Sequence, residues 1–137
     1  DKRGVGEPVI HADEARDVRF WDRFFDLYLQ VPMQKVVGDR NRPAGKKDPH
    51  GVEDARQLIA TSYDVLEDQL GKRTFAVGDA FSMADCAAAP ALFYAEKNVP
   101  LDGHPRCAAY LERLKQRPSF ARALREAEPY FHLYPGA

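Results

Sequence analysis

Several residues in this sequence are of types that do chemistry, and their spacing narrows what that chemistry is. Asp85 follows Ser82 by three positions at the head of an alanine-rich run. A carboxylate leading a buried helix can act as a general base. The same spacing is that of a short-armed capping box, with Asp85 returning a bond to the Ser82 amide. Capping already explains both residue types, so Ser82 and Asp85 are read as structural. Phe24 and Tyr28 stand four apart, on one helical face. Such a pair can wall an apolar site, each aromatic contributing about 1.5–3 kcal/mol when buried against a ligand. The phenol can also donate to negative charge developing on a substrate. Plain core packing explains the same pair, and both readings stand. Trp21 is read as core. Cys86 falls in a first helical turn, which depresses a thiol pKa, yet no His or Lys adjoins it, so it reads as a small buried apolar group. Cys107 has no supporting context. His11, His50, His104 and His132 are scattered, and no Cys/His spacing suits a metal. No catalytic residue and no metal ligand is assigned.

The elements that position these residues read as helices. Asp13 is placed to cap the first, after a stretch holding Gly4, Gly6 and Pro8. Val18, Trp21, Phe24, Phe25 and Tyr28 form its apolar stripe, which Phe20, Leu27 and Val31 widen. Pro32 lies inside it, cannot donate to the Tyr28 carbonyl and predicts a kink with a hollow beside it. The helix is expected to stop at Gly38. Positions 38–51, with Pro43, Gly45 and Pro49 among charges, read as a mobile loop. A second helix carries Val52, Ala55, Ile59, Tyr63, Leu66 and Leu70 at helical spacing, ending at Gly71. Thr74 to Phe81 is a short extended piece and turn into the Ser82–Phe93 helix, with Phe81 and Cys86 at staple positions. Small residues there permit close packing, so this helix is expected at the centre. Shorter helices follow from Pro105 to Gln116 and from Pro118 to Glu126, and the aromatic tail Tyr130–Tyr134 is expected to lie back on the body. The sum is an all-α five-helix bundle over residues 13–137, with 1–12 a linker.

Bulk properties exclude much. The net charge of -1 gathers neither nucleic acid nor an anionic membrane, and no apolar run reaches the roughly 18 residues of a span. Two cysteines outside any CxxC pair, and no secretory signal, fit a reducing cytoplasmic location. Starting at Asp1 and not Met, the chain is expected to be a piece of something longer.

The run from Phe75 through Phe81-Ser82-Met83-Ala84-Asp85, the small-residue helix with Pro90 and then Arg117-Pro118-Ser119 resembles the C-terminal domain of glutathione transferases. Arg19-Phe20-Trp21 is similar to the first helix of bacterial and plant-type members. The resemblance spans Asp13 to Phe120. It implies a two-domain enzyme in which an N-terminal thioredoxin-like domain, whose signatures are not seen here, holds glutathione and activates its thiol. The helical half would bind a hydrophobic electrophile through Phe24, Tyr28 and the tail residues Phe131 and Tyr134, and would form a homodimer. Glutathione is then the co-substrate, bound mainly by the other domain, and no conjugation is expected from this chain alone. Related helical domains also serve as non-catalytic scaffolding modules, and related enzymes as glutathione-dependent isomerases, dehalogenases or peroxidases.

Overall fold

A computed structural model describes residues 12–135. His11 and all but the last residue of the expected linker lie outside that range. The chain forms α1 (Ala15–Phe24), a π-helical segment (Phe25–Gln30), α2 (Val31–Arg40), α3 (Pro49–Leu70), α4 (Met83–Glu96), α5 (Pro105–Gln116) and α6 (Pro118–Ala127). Short 3₁₀ turns occupy Ala12–Glu14, Ala44–Lys46 and Glu128–Leu133. No strand occurs among the described residues. Because α1, the π segment and α2 run as one rod, five helical bodies make the bundle, as the sequence predicts.

α4 lies at the centre. It packs against α1, the π segment, α2 and α5, and buries Ala84, Ala88, Ala91, Leu92 and Ala95. Alanines let neighbouring backbones come close, so this rod can be packed from several sides. Its N-terminus carries the expected capping box: Ser82 Oγ accepts from the Asp85 amide, and the Ser82 amide donates to Asp85 Oδ2 at 2.7 Å. Asp85 does more than cap. Its Oδ1 also accepts from the buried Ala76 amide at 2.9 Å and from the Tyr110 hydroxyl at 2.5 Å. One carboxylate thus ties the preceding turn, α4 and α5 together, and a buried charge is tolerable only with such full pairing. Burial, then the Asp85 charge and its hydrogen bond, push the Tyr110 phenol well above its usual range.

The sequence reading fails at several helix ends. Asp13 sits inside the first 3₁₀ turn, and Glu14, not Asp13, precedes α1, with no side-chain cap bond. The first rod continues through the exposed Gly38 to Arg40, because Asp39 is buried there and accepts from the Asp48 amide at 2.9 Å. The loop after it is pinned, not mobile. Lys35 Nζ meets Asp48 Oδ2 at 2.5 Å, and Asp48 Oδ1 accepts from the Gly51 amide at 2.9 Å, so α3 begins at Pro49, one turn early. Asp48 is the N-cap and Pro49 the first helical residue, the favoured order for a helix start.

Candidate functional site

Pro32 cannot supply an amide to the rod, and the register shifts just before it. The Val31 amide reaches Asp26 O, five residues back, which is the π spacing. The Tyr28 carbonyl that Pro32 leaves without a donor is taken by Ser62 of α3, whose hydroxyl lies 3.1 Å away and 2.7 Å from Leu58 O. The neighbouring helix thus meets the polar demand at that carbonyl. The shift sorts the aromatic stripe by depth. Val18, Trp21, Phe24, Phe25 and Leu29 face the core, while Phe20, Leu27, Tyr28 and Val31 face outward. Phe24 is 7% exposed and Tyr28 46%. Their rings lie 5.5 Å apart, with Trp21 4.6 Å beyond Phe24. Phe24 therefore backs a surface that Tyr28 presents.

On α3, Leu58 and Val65 stand one turn either side of Ser62 and are 39% and 45% exposed. Ser62 itself is buried against the Tyr28 backbone.

The tail packs back on the body as expected, but at a different place. Phe131 lies 5.8 Å from Phe93, and Tyr134 stacks 5.3 Å from Tyr94 while accepting from Asn98 Nδ2 at 2.8 Å. Arg40 holds the Pro135 carbonyl at 2.6 Å. Tyr134 lines a hollow of about 360 Å³ with Gln30, Met33, Val37 and Tyr94. The four expected binding residues thus form two groups, Phe24 with Tyr28 and Phe131 with Tyr134, and no ring contact joins them among the described residues.

A second hollow, of about 290 Å³, lies between α4 and α6, lined by Phe81, Cys86, Pro90, Arg117 and Phe120 among others. The sequence reading missed it. Cys86 is exposed there, not buried as expected, and the staple position brings it to the cavity wall. Burial of its sulfur and then the Asp85 charge raise its thiol pKa, so it is a weak nucleophile. Cys107 is fully buried, and desolvation followed by its contact with Glu67 raises its thiol far above the usual range. Glu67 itself caps α5 from α3, accepting from the Arg106 and Cys107 amides at 3.0 and 2.9 Å. No cluster of metal-binding side chains occurs among the described residues, and no described helix is long and apolar enough to cross a membrane.

Residues 49–113, from the start of α3 to near the end of α5, match the family model for the glutathione S-transferase C-terminal domain. Over that stretch, 65 of the 137 residues, the chain is similar to a glutathione S-transferase C-terminal domain. Solved structures agree on the fold. A glutathione S-transferase from Methylobacterium radiotolerans, in complex with glutathione sulfonate, superposes with a TM-score of 0.73 at 24% identity, over 85% of this chain and 57% of that one. One from Methylobacillus flagellatus with glutathione bound gives 0.74 at 23%, over 82% and 57%. Glutathione transferase F7 from Populus trichocarpa gives 0.69 at 21%, over 84% and 57%. The chain therefore spans little more than half the length of these glutathione S-transferases. The Ser82–Asp85 box caps α4, and the first rod carries the exposed Phe20, Leu27, Tyr28 and Val31.

Proposed function

We propose that this chain is the electrophile-binding and dimerising half of a cytoplasmic glutathione S-transferase. A thioredoxin-like domain, joined through residues 1–12, would hold glutathione and make its thiolate. The helical half contributes shape and apolar surface. A hydrophobic electrophile lies on the ring of Tyr28, backed by Phe24, and the Tyr28 hydroxyl donates to charge developing on it as the thiolate attacks. The tail rings Phe131 and Tyr134, packed on Phe93 and Tyr94, form a separate apolar patch and are not part of the Phe24–Tyr28 face. Leu58 and Val65 meet their counterparts in a second copy. The reading is carried by one observation: the longest rod keeps Phe20, Leu27, Tyr28 and Val31 exposed while its opposite side is packed solid. A soluble chain does not leave such a face uncovered without use.

The test is steady-state kinetics of the protein that includes its glutathione-binding domain. Tyr28→Ala removes an aromatic wall of about 1.5–3 kcal/mol, so KM for a chlorinated aromatic should rise about tenfold or more while KM for glutathione stays fixed. Equal weakening of both substrates, or of neither, refutes the assignment.

A further inference from the structure

A hollow of about 340 Å³ opens where the C-terminus of α3 meets the N-terminal half of α5. Lys72, Arg73, Arg106 and Arg113 line it, Pro105 and Ala109 give it an apolar floor, and no carboxylate stands in its walls. Three of these cations are tethered by backbone carbonyls. Arg73 donates to Gln69 O, Arg106 to Glu67 O at 3.4 Å, and Arg113 Nε to Thr74 O at 2.9 Å. Capping the end of α3 and the turn after it explains one N–H of each guanidinium. The other N–H groups have no protein acceptor among the described residues, and none of the four cations is ion-paired there. Acids are near but stay outside. Glu67 spends both oxygens on the Arg106 and Cys107 amides, Asp79 accepts from the Thr74 hydroxyl at 3.2 Å, and Asp85 is buried behind Tyr110. Asp68 is exposed on the last turn of α3. These acids temper the field without supplying an oxygen to the hollow, so a single negative charge gains little there and a multivalent one gains more.

We propose that the α3–α5 hollow binds a diphosphate group, its oxygens shared among Arg73, Arg106, Arg113 and Lys72. Three observations select that chemistry. Guanidiniums reach the hollow from two elements, the turn after α3 and α5 itself. A tetrahedral phosphate offers acceptors in several directions to such forks, whereas a planar carboxylate presents one edge. The carbonyl tethers hold the arginines in place before binding, which cuts the entropy lost on closing around the ligand. The volume lies near the small end of ligand pockets, which begin at about 300 Å³, and no aromatic side chain lines the walls to stack a base. A compact phosphate chain therefore fits better than a nucleoside, and the chain's net charge of -1 gives no wider field for a nucleic acid. The hollow shares no residue with the Phe24–Tyr28 face and stands or falls separately from it.

The experiment is calorimetric titration of the chain at fixed ionic strength with pyrophosphate, with ADP, and with acetate as the singly charged anion. Pyrophosphate should bind about tenfold or more tighter than acetate. Tighter binding of ADP than of pyrophosphate would name a nucleotide as the source of the group, and the reverse would name free pyrophosphate; both support the site. Lys72→Gln and Arg106→Gln, at exposed positions, should each weaken pyrophosphate about threefold or more. Ala109→Glu, exposed on α5, sets a carboxylate in the hollow with every cation intact and should abolish binding. Arg125→Gln, exposed on α6, removes the same charge elsewhere and should change nothing. The proposal is overturned if pyrophosphate binds no tighter than acetate, if Lys72→Gln and Arg106→Gln or Ala109→Glu are without effect, or if Arg125→Gln weakens binding as much as Arg106→Gln.

Discussion

Replacing Asp85 by alanine tests how far one carboxylate holds this bundle. The side chain is fully buried and accepts four hydrogen bonds. Alanine leaves the Ala76 and Ser82 amides and the Tyr110 hydroxyl without their acceptor, while the Ser82 hydroxyl can rotate elsewhere. An unsatisfied buried donor costs about 1–3 kcal/mol, so the three together cost about 3–9 kcal/mol, against a total stability of about 5–15 kcal/mol for a domain. In urea the midpoint should fall accordingly, and Tm should drop by roughly 10 °C or more. Asp85→Asn keeps the oxygen that faces Ala76 and Tyr110 but turns an NH₂ toward the Ser82 amide, so about half the loss is expected. Tyr110→Phe alone should cost about 1–2 kcal/mol, and little in the Asp85→Ala background, giving a coupling of similar size. A loss below about 1 kcal/mol for Asp85→Ala, or equal cost of Tyr110→Phe in both backgrounds, refutes the network.

Other consequences follow from the same geometry. Ser62→Ala should destabilise by about 1–2 kcal/mol, because the Tyr28 carbonyl loses the donor that Pro32 denies it; equilibrium urea melts read this directly. Burial acts to raise the Glu67 carboxyl, but the Arg106 and Cys107 amides outweigh it and the net shift is downward. Its contribution is therefore complete above the unfolded value near pH 4.3 and lost as pH falls through the lower folded value. Glu67→Gln should flatten that acid limb in melts run from pH 7 to pH 2, and an unchanged limb would remove Glu67 from the account. Iodoacetamide should label exposed Cys86 slowly in the native chain, since its thiol is raised by burial and Asp85, and Cys107 only after unfolding; mass spectrometry distinguishes the two.

The parts of this structure visible in the sequence are those fixed within a few residues. Ser82 and Asp85 are three apart, and their pairing could be read from spacing alone. The apolar repeats of α3 and α5 gave their buried faces for the same reason. The start of α3 was readable too, since Asp48 precedes Pro49, but the surrounding Pro43 and Gly45 suggested a loose loop. Longer-range features were not readable. The fate of the Tyr28 carbonyl depends on Ser62, 34 residues away, so a proline in the rod predicts a kink but not what fills it. Periodicity put Phe24 and Tyr28 on one stripe; only the position of α4 and the π register separates a core ring from an exposed one. Phe81 and Arg117 meet across 36 positions, and the Arg-Pro-Ser at the head of α6 was the one local sign of their cavity. For the tail, aromatic composition predicted docking but not the partner, which turned out to be Phe93 and Tyr94 and not the Phe24 face.

The proposed function divides the labour, with the electrophile on this domain and glutathione held elsewhere. The direct measurement is an NMR titration of the 137-residue chain, following backbone amides with a chlorinated aromatic and then with glutathione. The chlorinated aromatic should shift Phe24, Tyr28 and their neighbours along the first rod, while millimolar glutathione leaves the spectrum unchanged and no conjugate forms in the tube. Glutathione-dependent shifts on α1, or turnover above the uncatalysed rate, would contradict it.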